Sequence, residues 1–275
     1  RLWRAEANYR PQTIDLGEQI AAALYVSAAS NRALILTYNR QLRQYQAQVR
    51  NTDDGTLVTN PIEHQSLIWV AGISPNGQVV ATCSGAQSIV RLNNASDGSS
   101  IADIAMHAPK VSARCVAFSA DSSMLAIGHS DGFVGIYDTA TGAIIGQARH
   151  SRRITSIAFD QTNSRLLTGS QDQTARLWQL DRKTAHFELR EIGILMGHKG
   201  PVEHVSFNAT GELAVTTTNA TDGVIRIYDV GVGRAPASEA IYSYEVGETV
   251  KQAAFARDSR CILAVTSKRT LLWQY

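Results

Sequence analysis

The sequence has little that would indicate disulfides, a structural metal or a membrane. Its three cysteines, Cys83, Cys115 and Cys261, stand far apart and form no C-x-x-C pair. That spacing argues against both a zinc knuckle and a disulfide framework, and we interpret the cysteines as small core residues of a reducing compartment. No apolar run approaches the roughly 20 residues that a membrane-spanning helix requires. We therefore expect no membrane partner and a cytoplasmic location.

Strong charge and enzyme motifs are absent as well. The 275 residues carry a formal net charge of +2, which by itself indicates neither nucleic acid nor an anionic membrane. The sequence contains no G-x-S-x-G, H-E-x-x-H or P-loop motif. The Asp53-Asp54 pair in "NTDDGT" lacks the other oxygen ligands of a calcium loop. We predict no catalytic residue, no metal and no cofactor.

What the sequence does contain is a repeat. The block "SIAFDQTNSRLLTGSQDQTARLWQL" matches four other segments and, more weakly, a fifth. The matching segments are 115–139, 204–230, 252–275, 70–94 and, weakest, 25–46. The last aligned positions are Tyr45, Asn93, Tyr137, Trp178, Tyr228 and Trp273, separated by 41 to 50 residues, and Trp3 lies 42 residues before Tyr45. A period of this length suits a four-stranded propeller blade.

The residue pattern of each block favours β-strands. Short β-rich runs such as "SIAF", "RLLTGS" and "ARLW" alternate with turn clusters such as "DQTN" and "QDQ". Helical periodicity is absent over any useful length. We predict three strong inner strands in each block and a weaker outer strand after them, for example at 143–149 and 187–195.

These blocks resemble the WD-repeat β-propeller family. The resemblance is carried by Gly197-His198, by "IYD" or "RLW" at the strand ends, and by acids in the turns. Those acids are Asp131, Asp172 and Asp222. The resemblance implies an all-β fold, with four-stranded antiparallel blades forming one domain over residues 1–275, and we expect the chain to be a piece of a longer protein. The predicted blades are 20–62, 64–106, 107–149, 150–195, 197–245 and 246–275, plus a partial blade at 1–17.

The number of blades is left open by the sequence. Six blocks are visible, and "QTIDLG" at 12–17 could supply the outer strand that the last block lacks. "RLWR" at 1–4 would then be surplus, because it resembles an inner third strand. Since Trp3 fits the repeat so well, we favour seven blades over a six-bladed ring.

Histidines recur at blade spacing. His150 and His198 each lie nine residues before the phenylalanine that ends a first strand. A catalytic histidine has no reason to recur in this way, whereas a structural one does, because every blade buries polar groups beside its turns. The resemblance implies a structural hydrogen-bond network in three of the blades. Its predicted members are His150, Thr168, Asp172 and Trp178; His198, Thr218 and Asp222, with Tyr228; and His107 and Asp131, with Tyr137 and with Ile127 in place of the hydroxyl.

Partner binding is expected on the face formed by the loops that lead into the blades. One equivalent rim position per blade lies four residues before the aromatic register position. These positions are Ala22, Trp69, Arg114, Thr155, Glu203 and Lys251. The same loops carry the basic residues Lys110, Arg149, Arg152, Arg153 and Lys199. We predict that Trp69, Arg114, Lys110, Arg152, Arg153, Lys199, Glu203 and Lys251 bind the partner, and an acidic or phosphorylated peptide would suit them.

The function that follows is a non-catalytic interaction scaffold or sensor within a larger signalling or regulatory protein. Its partner would be a protein, a peptide or another domain of the same chain. The alternative is a propeller enzyme, or a small-ligand or glycan-binding domain, that uses the central channel. The largely apolar first strands argue against it, and we expect His204 and Cys115 to have packing roles. Nucleic acid is disfavoured because few aromatics accompany the basic residues.

Overall fold

The computed structural model describes residues 19–274, apart from 28, 40, 86–87, 184–185, 220–222, 234–235 and 257–258. Every regular element in these ranges is a β-strand, so no helix there could cross a membrane. The strands are β1 Gln19–Val26, β2 Arg32–Asn39, β3 Gln44–Asn51, β4 Ile62–His64, β5 Ile68–Ile73, β6 Val79–Ser84, β7 Ile89–Asn94, β8 Ser100–Ala105, β9 Ala113–Phe118, β10 Met124–His129, β11 Phe133–Asp138, β12 Ile144–Arg149, β13 Ile154–Phe159, β14 Arg165–Ser170, β15 Ala175–Lys183, β16 His186–Leu195, β17 Val202–Phe207, β18 Leu213–Thr218, β19 Val224–Asp229, β20 Tyr242–Glu245, β21 Val250–Phe255, β22 Cys261–Thr266 and β23 Thr270–Gln274.

The strands form consecutive antiparallel sheets in chain order. Five sheets have four strands each, and the last, β21–β23, has three within the described part of the chain. The inner strands of successive sheets pack side by side, as the blades of a propeller require. The prediction of an all-β propeller with four-stranded antiparallel blades is confirmed. Both outer strands predicted from the repeat exist, as β12 and β16.

The core lies between neighbouring blades. Ala126 and Ile136 of the third sheet pack in one cluster with Ile157 and Trp178 of the fourth. The fourth and fifth sheets meet in the same way, with Leu177 against Val205 and Tyr228. Each blade therefore buries one face of its middle strands against the first strand of the next blade, and no blade completes its core alone.

Antiparallel topology gives the ring two faces. The upper face is made of the loops that lead from one sheet into the next and the loops that join second to third strands. The lower face is made of the loops that join first to second and third to fourth strands. Successive lower-face turns are hydrogen-bonded to one another. The backbone N–H of Asn76 donates to Ser122 Oγ at 3.1 Å, and that of Ala120 donates to Asn163 Oδ1 at 2.7 Å.

The first and last sheets expose positions that are buried elsewhere. Leu263 and Leu272 are 41% and 48% exposed, whereas their equivalents in the fifth sheet, Val215 and Ile227, are fully buried. On β1, Leu24 is 61% exposed. The first and the last sheet thus each have an apolar face that no described blade covers. The predicted partial blade at 1–17 lies outside the described residues, and our preference for seven blades remains a prediction.

Candidate partner-binding face

His150 is the centre of a buried polar network in the fourth blade. Its Nε2 lies 2.7 Å from Thr168 Oγ1 and its Nδ1 lies 3.0 Å from Asp172 Oδ2. Trp178 Nε1 donates to the same Thr168 hydroxyl at 2.8 Å. Asp172 also accepts bonds from the Thr174 hydroxyl and backbone. The structure therefore brings His150, Thr168, Asp172 and Trp178 together as a chain that ties the start of the blade to its third strand.

The charge of Asp172 is stabilised within this chain. Although burial opposes ionisation, the hydrogen bonds from His150 and Thr174 hold the pKa of Asp172 far below its usual range. The carboxylate is only 6% exposed and is therefore sensitive to the loss of its partners.

Replacing Asp172 by alanine should lower stability and leave partner binding intact below the melting temperature. The change leaves the His150 ring without its acceptor, at a cost of about 1–3 kcal/mol. For a protein of this size that corresponds to a melting temperature lower by several degrees, roughly 2–4 °C per kcal/mol. Differential scanning calorimetry measures the effect, with the exposed Asp103→Ala as a control. Lost binding at unchanged stability would show that Asp172 touches the partner.

The fifth blade requires one correction. His198 Nε2 lies 2.8 Å from Thr216 Oγ1, so Thr216 holds the position predicted for Thr218. Both side chains are on one face of β18, but Thr216 pairs with Arg226 as Thr168 pairs with Arg176. Thr218 instead ends the strand, as Ser170 does in β14. The Tyr228 hydroxyl lies 3.3 Å from His198 Nε2. Asp222 lies outside the described residues.

The third blade has a shorter version of this hydrogen-bond network, and it lies at the surface. His107 Nε2 lies 3.0 Å from Asp131 Oδ2, and both side chains are about one-third exposed. Arg149 bonds to the same carboxylate oxygen at 3.2 Å. Ile127, in the position of the hydroxyl, is fully buried. Behind His107 lies His129, which has no hydrogen bond on either ring nitrogen and contacts the rings of His107 and Phe133. The sequence pattern did not single out His129.

The rim positions share a backbone feature that the sequence did not reveal. In each first strand, the residue at this position is skipped by the pairing with the second strand, which makes it a β-bulge. The bulged residues are Ala22, Trp69, Arg114, Thr155, Glu203 and Lys251. A bulge bends the strand and changes the direction of the side chain that it carries.

Trp69 and Arg114 come together at this rim. The Trp69 ring lies against the backbone of Gly85, where an added Cβ would come within 2.8 Å of it, yet 56% of the residue is exposed. The Arg114 guanidinium lies 6.0 Å from the ring centroid, within cation–π range. Between β5 and β9 these side chains and Leu67 line a pocket of about 380 Å³. Trp69 thus packs on a loop and presents a surface at the same time.

Arg152 and Arg153 lie in the loop that leads into the fourth blade. The Ser170 hydroxyl lies 3.0 Å from both of their backbone carbonyl oxygens, and the Gln171 N–H donates to that of Arg153. The loop also closes on Gly132, where a Cβ would collide with the Arg152 carbonyl oxygen. The backbone is therefore fixed, and neither guanidinium forms an ion pair with a described residue.

The other predicted contact residues differ in their surroundings. Lys110 and Lys199 are exposed in the loops into the third and fifth blades, and Lys251 is exposed on its bulge. Glu203 is half-buried on its bulge. The Thr155 hydroxyl donates to the Val202 carbonyl of the next blade. Thr155 is thus occupied with joining two blades, whereas the lysines remain available on the upper face.

Comparison with known proteins agrees with this geometry. The family model for the anaphase-promoting complex subunit 4 WD40 domain matches residues 71–162. The model for the WD domain, G-beta repeat, matches residues 189–229. The chain belongs to the WD-repeat family.

Several curated proteins are similar to this WD-repeat chain. The Denticleless protein homolog of Gallus gallus is 31% identical over 50% of this chain and 19% of its own. The LEC14B homolog of Prunus armeniaca is 24% identical over 82% of this chain and 49% of its own. The guanine nucleotide-binding protein subunit beta of Oryza sativa subsp. japonica is 27% identical over 73% of this chain and 55% of its own. The chain thus spans between about a fifth and about half of these relatives.

Charge is divided between the two faces of the WD-repeat ring. Within the described loops, the upper face carries seven basic and three acidic residues, and the lower face carries one basic and seven acidic. The upper-face set is Arg43, Lys110, Arg152, Arg153, Lys199, Lys268 and Arg269, with Asp131, Asp172 and Glu248. The lower-face set is Asp53, Asp54, Asp97, Asp121, Asp160, Glu212 and Glu239, with Arg260. All three upper-face acids are already ion-paired within the fold.

The first strands offer little reactive chemistry. Burial raises the pKa of the Cys115 thiol to about 12, so it stays protonated and is a poor nucleophile. Burial lowers the pKa of His204 to about 4. The described residues contain no group of three or more His, Cys, Asp or Glu side chains that could hold a metal ion.

Proposed function

We propose that the chain is a non-catalytic scaffold whose upper face binds an acidic or phosphorylated segment of a partner. The observation that carries the proposal is the pairing of Trp69 with Arg114 in one open pocket. An aromatic ring beside a guanidinium that has no acidic partner among the described residues offers apolar contact and a charge-assisted hydrogen bond at the same point. Tryptophan and arginine are also the residue types most enriched in binding hot spots.

The basic residues extend this site across the upper face. Arg152, Arg153, Lys110 and Lys199 lie in the loops of the third, fourth and fifth blades, and Trp69 in the second. Because the described acids of this face are ion-paired within the fold, the remaining charge of its described loops is positive. Such a surface attracts anionic segments before contact and sets their orientation.

The relatives support the role of a module in a larger assembly. The printed names of two matches describe subunits, one of the anaphase-promoting complex and one of a guanine nucleotide-binding protein. We extend this to a signalling or regulatory setting. The bound segment then belongs to a separate protein or to another domain of the same protein.

Partner recovery in a pull-down should fall at least tenfold in Trp69→Ala and in Arg152→Glu/Arg153→Glu. The first change removes the apolar contact and the second reverses the charge of a fixed loop. Recovery by the wild-type protein should also decrease with added salt, since screening shortens the reach of exposed charges to roughly 8 Å at physiological ionic strength.

Two exposed changes away from the site serve as controls, Ile241→Ala and Arg190→Glu. Circular dichroism establishes that all four variants are folded. Full recovery by both upper-face variants would rule out this face. Recovery abolished by His204→Ala alone would favour the central channel, and recovery abolished by nuclease would favour nucleic acid.

A further inference from the structure

The hairpin β15–β16 is longer than the other hairpins. Its strands have nine and ten residues, while most strands have six. The extra pairs Asp181↔Glu188, Arg182↔Phe187 and Lys183↔His186 carry the hairpin past β14, whose pairing with β15 ends at Gln179. Because side chains alternate along a strand, Phe187 and Leu189 are on the same side of it. They pack on the cluster that joins the third and fourth blades.

This overhang makes one wall of a groove at the outer edge of the ring. The other wall is β12, the outer strand of the third blade. The groove has a volume of about 410 Å³. It is lined by Ile144, Ile145, Gly146, Gln147, Phe187, Glu188 and Leu189. A volume of this size is within the usual range of ligand sites, and most of the lining groups are apolar.

The groove is open at Ile144 and narrow at Gly146. Ile144 is 52% exposed, although it is a large aliphatic residue at the margin of an apolar cluster. Gly146 presents backbone in place of a side chain, and an added Cβ there would come within 2.7 Å of Leu189 Cδ1. The Ile144 end of the groove is therefore accessible, whereas at Gly146 the two walls lie too close for one more methyl group.

The groove adjoins an unpaired sheet edge. β12 is the last strand of its sheet, and no described strand pairs with its outer side. Edge strands present a row of backbone donors and acceptors to which an added strand can bind. Peptides recognised in this way take affinity from the backbone bonds and specificity from pockets that receive alternate side chains. Here the edge and the apolar groove lie side by side.

We infer that this groove is a second docking site, independent of the upper face. It binds an extended peptide that adds to the edge of β12 and inserts a bulky apolar side chain between Ile144 and the Phe187–Leu189 wall. The long hairpin is what distinguishes this position from the other described blade junctions.

The test is a selection from random peptides of about eight residues, enough for one strand. The immobilised wild-type protein serves as bait, and Ile144→Asp, which places a charge in the wall, as the counter-selection. Enriched peptides should share one bulky apolar position. They should bind Ile144→Asp at least about tenfold more weakly, a loss of roughly 1.4 kcal/mol. They should bind Trp69→Ala and the matched exposed-residue variant Ile241→Asp as they bind the wild type.

Backbone methylation of one enriched peptide then tests for strand addition. Alternate amides of an added strand point toward the edge, so N-methylation at every second residue should abolish binding in one register and spare it in the other. Equal effects in both registers would overturn the added strand. Failure to enrich peptides sensitive to Ile144→Asp would overturn the site, as would a concentration-dependent dimer of the protein that Ile144→Asp dissolves.

Discussion

Acidification from neutral pH should unfold the propeller between about pH 6 and pH 4, because four histidines whose pKa values are lowered in the folded protein must gain a proton. Burial lowers the pKa of each of them from 6.5 to about 4. Nearby Arg91 and Arg226 add to the effect at two of these sites. The four histidines are His64, His129, His198 and His204.

The direction of this stability change follows from proton binding. In the unfolded chain a histidine takes up its proton near pH 6.5, but in the folded protein it does so only near pH 4. The unfolded state therefore binds more protons between these values. The contribution of each histidine to stability is complete above pH 6.5 and is lost as the pH falls toward 4.

The expected loss of stability is large. At about pH 5 each histidine lowers the free energy of unfolding by on the order of 2 kcal/mol, since one pKa unit corresponds to about 1.4 kcal/mol. Four sites together lose on the order of 8 kcal/mol, which is comparable to the whole stability of a typical domain, roughly 5–15 kcal/mol. Urea denaturation followed by circular dichroism at a series of pH values measures the loss.

His129 provides the sharpest variant. It is fully buried and neither ring nitrogen has a partner, so His129→Leu removes a titrating group without breaking a hydrogen bond. We expect the variant to unfold at lower pH than the wild type and to be at least as stable at pH 7.5, a value about one unit above the unfolded pKa. An unchanged acid midpoint, or a wild-type protein that stays folded at about pH 4, would show that these histidines are protonated in the folded state at little cost.

The fold could be predicted from the sequence because the repeat marks each blade. Aromatic residues at the ends of first and third strands mark the blades, and strands β12 and β16 lie where the residue pattern predicts them. The network around His150 also follows from the resemblance, since its four members recur at fixed offsets. The wrong prediction for Thr218 shows that sequence offsets alone do not identify the hydroxyl. Two hydroxyls on one strand face, Thr216 and Thr218, fit the pattern, and only strand register separates them.

The candidate sites depended on features that a sequence pattern does not contain. A β-bulge has no residue signature in these blades, because residues as different as Trp69, Glu203 and Thr155 occupy it. The proximity of Trp69 to Arg114 joins blades that are 45 residues apart in sequence. The groove beside Ile144 exists because one hairpin is longer, and strand length past the core is poorly marked in sequence.

Replacing Arg165 by alanine should be the most destabilising single change that the structure suggests. Arg165 and Asp160 form a buried ion pair at 3.0 Å, with both side chains at most 3% exposed. The guanidinium also donates to the carbonyl oxygens of Gly211 at 2.6 Å and Val230 at 2.5 Å, and it lies over the Phe207 ring. One side chain thus joins the lower-face turns of the fourth and fifth blades, and its loss leaves the Asp160 charge buried and unpaired.

Breaking a buried pair in this way costs about 3–5 kcal/mol, which lowers the melting temperature by roughly 10 °C in a protein of this size. Arg165→Lys should recover little, because a single ammonium group cannot reach one carboxylate and two carbonyls with the geometry of a guanidinium. Arg190→Ala, which breaks the exposed pair with Asp181, is the matched control and should cost less than about 1 kcal/mol. Equal melting temperatures for Arg165→Ala and Arg190→Ala would mean that the carbonyl and aromatic contacts of Arg165 contribute nothing to holding the two blades together.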